Sequence, residues 1–243
     1  MCRCWKSGRR TVTPAEVDER PYSGRMDPRR LDRDVAGAAA AHQGLLAMLD
    51  QQLSSGSLDE TCPSRLPGWT IGHVLTHLAR NADSIVRVLA AAERGEIIDR
   101  YEGGQARRDA EIEAGAPRPA EELVADVRST IWSLEQTWST HTRWDGRSRE
   151  AQGREVEVSE LPFMRWREVE VHRADLALGY DASDWPAEYV RRDLRLMEMR
   201  WNARRPMGMT GLPQAALDAP PHERLAWLLG RSSLGDLAPA GVF

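Results

Sequence analysis

The segment MRWREVEVHRADLALGY sets a carboxylate and an imidazole four residues apart, at Glu168 and His172. On a helix that spacing places both side chains on one face, one turn apart. Leu161, Met164 and Leu176 fall close to the same face, so the pair points toward apolar surroundings. Glu170 falls nearly opposite and is expected in solvent. An inward carboxylate one turn before an inward imidazole is either a hydrogen-bonded pair or half of a metal site. The hydrogen-bonded pair is the commoner of the two on helices.

A second segment, LPGWTIGHVLTHLARNAD, holds His73 and His77, again four apart. An H-x-x-x-H pair can bind a metal, although the H-E-x-x-H pattern of zinc proteases is absent. Helical geometry puts His73 almost opposite the apolar stripe and His77 on its flank, so His77 is the inward candidate. His77 with Glu168 and His172 would supply two imidazoles and a carboxylate. That set leaves a tetrahedral zinc one open position, as catalytic sites require. Adding His73 would close the shell and make the site structural. The sequence has no G-x-S-x-G, no G-x-G-x-x-G and no phosphate-binding loop. Cys62 sits in a loop without an adjacent histidine and reads as an inert thiol.

These residues need helices to position them. Leu31, Val35, Ala38, Leu45, Leu49 and Leu53 recur at helical spacing and predict a first helix over about Pro28–Leu53. His42 lies on its stripe and reads as a hydrogen-bonded core histidine, facing the right way to stand behind a metal ligand. Thr70 is the expected N-cap of the second helix, with Trp69 and Val74 placed as a hydrophobic staple. Residues 95–118 are long for a connection and are expected to cross the bundle or cover a site. Further helices are predicted over about Pro119–His141 and Pro162–Gly179, with a turn and one or two short strands between them. After a linker at Asp181–Trp185, a helix over about Pro186–Arg205 and a short one over Pro221–Leu229 follow, and MGMTGLPQAAL could supply a strand or two. The nine tryptophans sit mostly on or beside these stripes and read as core or cleft lining.

The remaining composition excludes several classes. A net charge of −4 and arginines interspersed with acids argue against a nucleic-acid surface. No apolar run approaches the roughly 18 residues of a membrane span. The charged start MCRCWKSGRR has no apolar stretch behind it and is not a secretory signal. Cys2, Cys4 and Cys62 make no disulfide framework, so a reducing cytoplasm is the economical reading. Residues 1–25 lack apolar periodicity and read as a disordered leader, with Met26 resembling a natural start. Residues 26–180 then form the bundle and residues 181–243 a small C-terminal domain.

Together, LPGWTIGHVLTHLARNAD and AQGREVEVSELPFMRWREVEVHRADLALGY resemble the mycothiol-dependent maleylpyruvate isomerase family, within the DinB-like metalloproteins. The likeness implies a mainly α fold built on a DinB-like four-helix bundle; the family's fuller C-terminal α/β domain is expected here only as a small, shortened C-terminal α/β appendage, since residues 181–243 are all that follow the bundle. It implies a divalent metal, Zn2+ or another, on His77, Glu168 and His172, with mycothiol as cosubstrate. QARRDAEI resembles the family's ARN.EI stretch and LLGRSS its GRG segment, which suggests Arg107 and Arg231 as residues that orient substrate or thiol. The partners implied are a small electrophile and a low-molecular-weight thiol. The reaction implied is isomerisation of maleylpyruvate to fumarylpyruvate. A mycothiol S-transferase is the alternative enzyme, and a binding module with a structural metal the alternative that is not an enzyme.

Overall fold

The computed structural model describes residues 27–150, 153–204 and 211–242. The expected leader, with Cys2 and Cys4, lies outside the described residues. Helix α1 (Pro28–Ser54) opens where expected: Asp27 accepts from the Arg29 amide at 3.0 Å, and Pro28 occupies the first helical position, where its missing N–H costs nothing. Helices α2 (Ile71–Glu93), α4 (Ala120–Thr140) and α5 (Leu161–Asp175) complete a four-helix bundle. The short helix α3 (Gly104–Gly115) lies in the long connection between α2 and α4 and packs on α2.

The apolar stripes read from the sequence become the core. Leu45 and Leu49 of α1, Val74, Leu78 and Ile85 of α2, and Val127 and Leu134 of α4 are buried together with Val169 of α5. Burying each such side chain favours the fold by about 1.5–3 kcal/mol. Pairing follows the stripes, with α2 packed mainly on α4 and α1 mainly on α5. Two glycines allow close approach. A Cβ at Gly37 of α1 would fall 2.3 Å from the Trp166 ring of α5, and one at Gly72 of α2 would fall 2.1 Å from the Ala116 carbonyl oxygen.

The strands β1 (Arg147–Arg149) and β2 (Glu155–Glu157) form an antiparallel hairpin before α5, with Ser148 opposite Val156. Beyond α5 come α6 (Ala187–Ala203), α7 (Gln214–Asp218) and α8 (Pro221–Leu228), with α6 packed on α8. The described residues of this C-terminal part form helices and loops, and Gln214–Leu217 of the expected strand region are helical. Met207–Thr210 of that region lie outside the described residues.

One expectation is corrected here. Glu170 is not in solvent but 1% exposed. The chain after α5 folds back over its outer face, so Tyr180 donates to Glu170 Oε2 at 2.5 Å and Trp166 donates to Oε1 at 3.2 Å. Trp185 donates to the Glu170 carbonyl at 3.1 Å, which fastens the same return. Helix α5 is therefore covered on more than one side. Its sequence accordingly lacks a single clean apolar stripe.

Candidate metal centre

His77 projects from α2, and Glu168 and His172 project from successive turns of α5. Their ligand atoms all lie within 4.8 Å of one another. His77 Nε2 is 2.9 Å and His172 Nε2 3.4 Å from the same oxygen, Glu168 Oε2. The two imidazoles meet edge to face, with centroids 4.6 Å apart. His77 and His172 are buried, whereas the Glu168 side chain keeps 21% of its surface open toward a cleft.

The tautomers follow from the outer partners. Arg108 can only donate, so its contact of 2.9 Å makes His77 Nδ1 an acceptor and leaves the proton on Nε2, facing Glu168. His172 donates from Nδ1 to Asp175 Oδ2 at 2.9 Å, and Asp175 also accepts from Arg231 Nε at 3.1 Å. Burial is the largest influence on all three groups. It pushes the His77 pKa down to about 4, with the neighbouring charges of His172 and Arg108 adding to the fall. For Glu168 burial acts upward, but hydrogen bonds from His172 and His77 outweigh it and hold the carboxyl well below its ordinary range. For His172 burial acts downward, but the bonds to Asp175 and Glu168 win and the pKa rises.

His73 is not part of the cluster. Its Nδ1 accepts from the Thr70 amide at 3.1 Å, and its Nε2 faces Glu113 at 3.3 Å, so it serves the start of α2. A shell closed by His73 is not what the fold builds. Trp69 stacks against His73 and tilts against His77, covering the imidazoles from that end. His42 is the core histidine expected, held between Glu135 at 2.8 Å and Arg165 Nε at 3.0 Å.

The two arginines expected from the sequence part company. Arg231 lines the cleft and reaches the centre through Asp175. Arg107 does not reach it: its side chain is 56% exposed and bonded to Glu111 at 2.9 Å. The inward residue is its neighbour Arg108, 15% exposed, whose guanidinium also lies over the Tyr101 ring. Successive helical residues differ by about 100°, so only one of the two can face in. Ile112, buried one turn after Arg108, marks that face, whereas Glu111, one turn after Arg107, marks the outer one. Asp175 was also missed, although its place three residues after His172 was the available signal.

The cleft in front of the three donors has a volume of about 740 Å³ and is lined by seven arginines against the carboxylates of Glu150 and Glu168. Tyr101 and Arg108 from the connection between α2 and α4, and Arg200 and Arg204 from the C-terminal end of α6, line it as well.

Residues 38–177, more than half of the chain, match the mycothiol maleylpyruvate isomerase N-terminal domain family. The chain belongs to this family. All three donors lie within the matched family region, whereas Arg231 lies beyond it. Two solved structures share the fold: a crystal structure of the mycothiol-dependent maleylpyruvate isomerase and one of a histidine-to-alanine mutant of it. Each is similar at a TM-score of 0.72 and 21% identity, over 86% of this chain and 95% of the other. Likeness at that identity speaks for the fold. No curated protein matches the chain in sequence.

Proposed function

We propose that the protein holds a divalent metal, Zn2+ by the character of its donors, on His77, Glu168 and His172, and uses mycothiol to isomerise maleylpyruvate to fumarylpyruvate. The observation that carries this reading is the convergence of two imidazoles and a carboxylate at the floor of a cationic cleft. The donor set fits the metal: three nitrogen and oxygen ligands leave a position for an exogenous group, and Asp175 orients His172 as carboxylates do behind metal-bound histidines. Such a metal supplies a Lewis acid that keeps a bound thiol ionised near neutral pH.

The chain's own residues do the rest. Nucleophilic addition of the thiolate to the cis double bond leaves negative charge on the substrate's oxygen as an enolate, which a nearby guanidinium stabilises. Arg108, which lines the cleft beside His77, supports this role. If His77 held the metal through Nε2, its proton would belong on Nδ1, and Arg108, which could then no longer donate there, would be available to the substrate. Arg231 holds Asp175, and through it His172, in position. Rotation about the new single bond and expulsion of the thiolate restore the double bond as trans and return the thiol. No protein cysteine is needed. Cys62 is exposed and lies outside the cleft lining.

The second reading is a mycothiol S-transferase acting on another electrophile. It draws on the C-terminal part, whose described residues form helices and loops and contribute Arg200, Arg204 and Arg231 to the cleft. The bundle over residues 26–180 would then supply metal and thiol, and residues 181–243 the electrophile pocket. Incubation of zinc-loaded protein with maleylpyruvate and mycothiol separates the two. The isomerase reading expects fumarylpyruvate with free thiol recovered. Accumulation of an S-conjugate, or no thiol-dependent product, would contradict it.

A further inference from the structure

The arginines that line the cleft are not equivalent. Arg154 is bonded to Glu150 at 2.9 Å, Arg167 to Asp193 at 2.8 Å and Arg231 to Asp175 at 3.1 Å. Arg108 meets Asp109 at 2.7 Å as well as His77. Arg200 is half-buried in the cleft wall and makes no ion pair with an acid among the described residues; of the other lining arginines without such a pair, Arg100 is buried and bonded to Ser84, and Arg204 is exposed.

Its position is built, not incidental. Asp193 of α6 is buried and holds Arg167 of α5, the residue next to Glu168. Tyr189, one turn earlier, donates to the same Asp193 at 3.0 Å, and Met197, one turn later, is fully buried. Arg200 comes two helical turns after Asp193 and so continues the same face of α6 toward the cleft. The Arg167–Asp193 pairing that docks α6 on α5 thereby fixes Arg200 in the lining of the cleft that holds the three donors. Burial first, and then the like charges of Arg167 and Arg154, hold the guanidinium below its ordinary pKa against the smaller opposing pull of Asp193 and Glu150. A half-buried cation crowded by cations is unfavourable unless an anion answers it.

We propose that Arg200 is a specificity residue: it takes the carboxylate of the substrate remote from the metal centre and selects electrophiles that carry two carboxylates. A guanidinium binds a carboxylate through paired, charge-assisted hydrogen bonds, and partial burial of the guanidinium strengthens them. The proposal rests on the reading of the cleft as a substrate site and names the substrate class that site accepts.

The test is calorimetric titration of the zinc-loaded protein with α,ω-dicarboxylates from succinate to suberate, against hexanoate. The wild type is expected to bind at least one diacid roughly tenfold or more tightly than hexanoate. Arg200→Gln should lose that preference, with hexanoate affinity unchanged and zinc retained. Arg200→Lys should keep part of it. Arg195→Gln, which removes an exposed charge from the same helix, should keep all of it. No preference in the wild type, or an intact preference in Arg200→Gln, would overturn the proposal. An Arg200-dependent preference in a protein that does not turn over maleylpyruvate would keep the subsite and sink the isomerase reading. Isomerase turnover with an unchanged KM in Arg200→Gln would do the reverse.

Discussion

His172 donates from Nδ1 to Asp175 Oδ2 across 2.9 Å within the last turn of α5, leaving Nε2 to face Glu168 at 3.4 Å. The bond to Asp175 fixes the proton on Nδ1 and sets the ring plane of His172. Arg231 Nε lies 3.1 Å from both oxygens of the Asp175 carboxylate and holds it in place. Replacing Asp175 by Asn weakens this orientation without emptying the space. The expected outcome is a loss of zinc affinity of about 10–100-fold. Competition against a chromogenic chelator measures it, and unchanged affinity would mean that His172 is oriented by something else.

Arg108 acts in the opposite sense on His77. By donating to Nδ1 it favours the tautomer whose Nε2 carries the proton, which opposes metal binding through that nitrogen. Arg108→Gln should therefore bind zinc at least as tightly as the wild type. The same change should lower kcat/KM for thiol-dependent turnover by roughly 10–100-fold, the effect of one charged hydrogen bond. Parallel loss of metal and activity would show that Arg108 supports the centre instead of the substrate.

His42 makes acid stability testable. Burial, against the opposing bond from Glu135, pushes its pKa down to about 4 from 6.5. The unfolded chain takes a proton near pH 6.5 that the folded chain refuses until about pH 4, so stability present above this window is lost as pH falls through it. The slope is about 1.4 kcal/mol per pH unit inside the window. Urea unfolding of metal-free wild type and His42→Gln at neutral and acidic pH measures the difference. The variant should be less stable at neutral pH and lose less on acidification.

Gly72 tests the packing that carries His77. A Cβ there would lie 2.1 Å from the Ala116 carbonyl oxygen and 3.3 Å from that of Glu60, both backbone atoms that cannot rotate away. Gly72→Ala should cost about 1–3 kcal/mol. Thermal unfolding would then show a Tm lower by roughly 2–10 °C. No change would mean that the start of α2 is free to shift.

The helices were legible because their stripes are long and their starts are marked, by Pro28 for α1 and by Thr70 after Trp69 for α2. The pairing of Glu168 with His172 was legible from helical spacing. Bringing His77 to them needed the resemblance, because periodicity says which face a residue occupies and not which helix that face meets. Glu170 was misplaced for the same reason. Its partners Tyr180 and Trp185 come from a return of the chain that no local pattern announces. Arg107 was chosen over Arg108 by motif alone, although buried Ile112 one turn on identifies the inward arginine by phase.

The most direct measurement is zinc content per chain, by mass spectrometry under native conditions, for the wild type and for His77→Ala, Glu168→Gln and His172→Ala. Circular dichroism would confirm that each variant keeps its helices. The account predicts one zinc in the wild type and little or none in His77→Ala and His172→Ala, with Glu168→Gln much weakened. Full zinc occupancy in His172→Ala would contradict it.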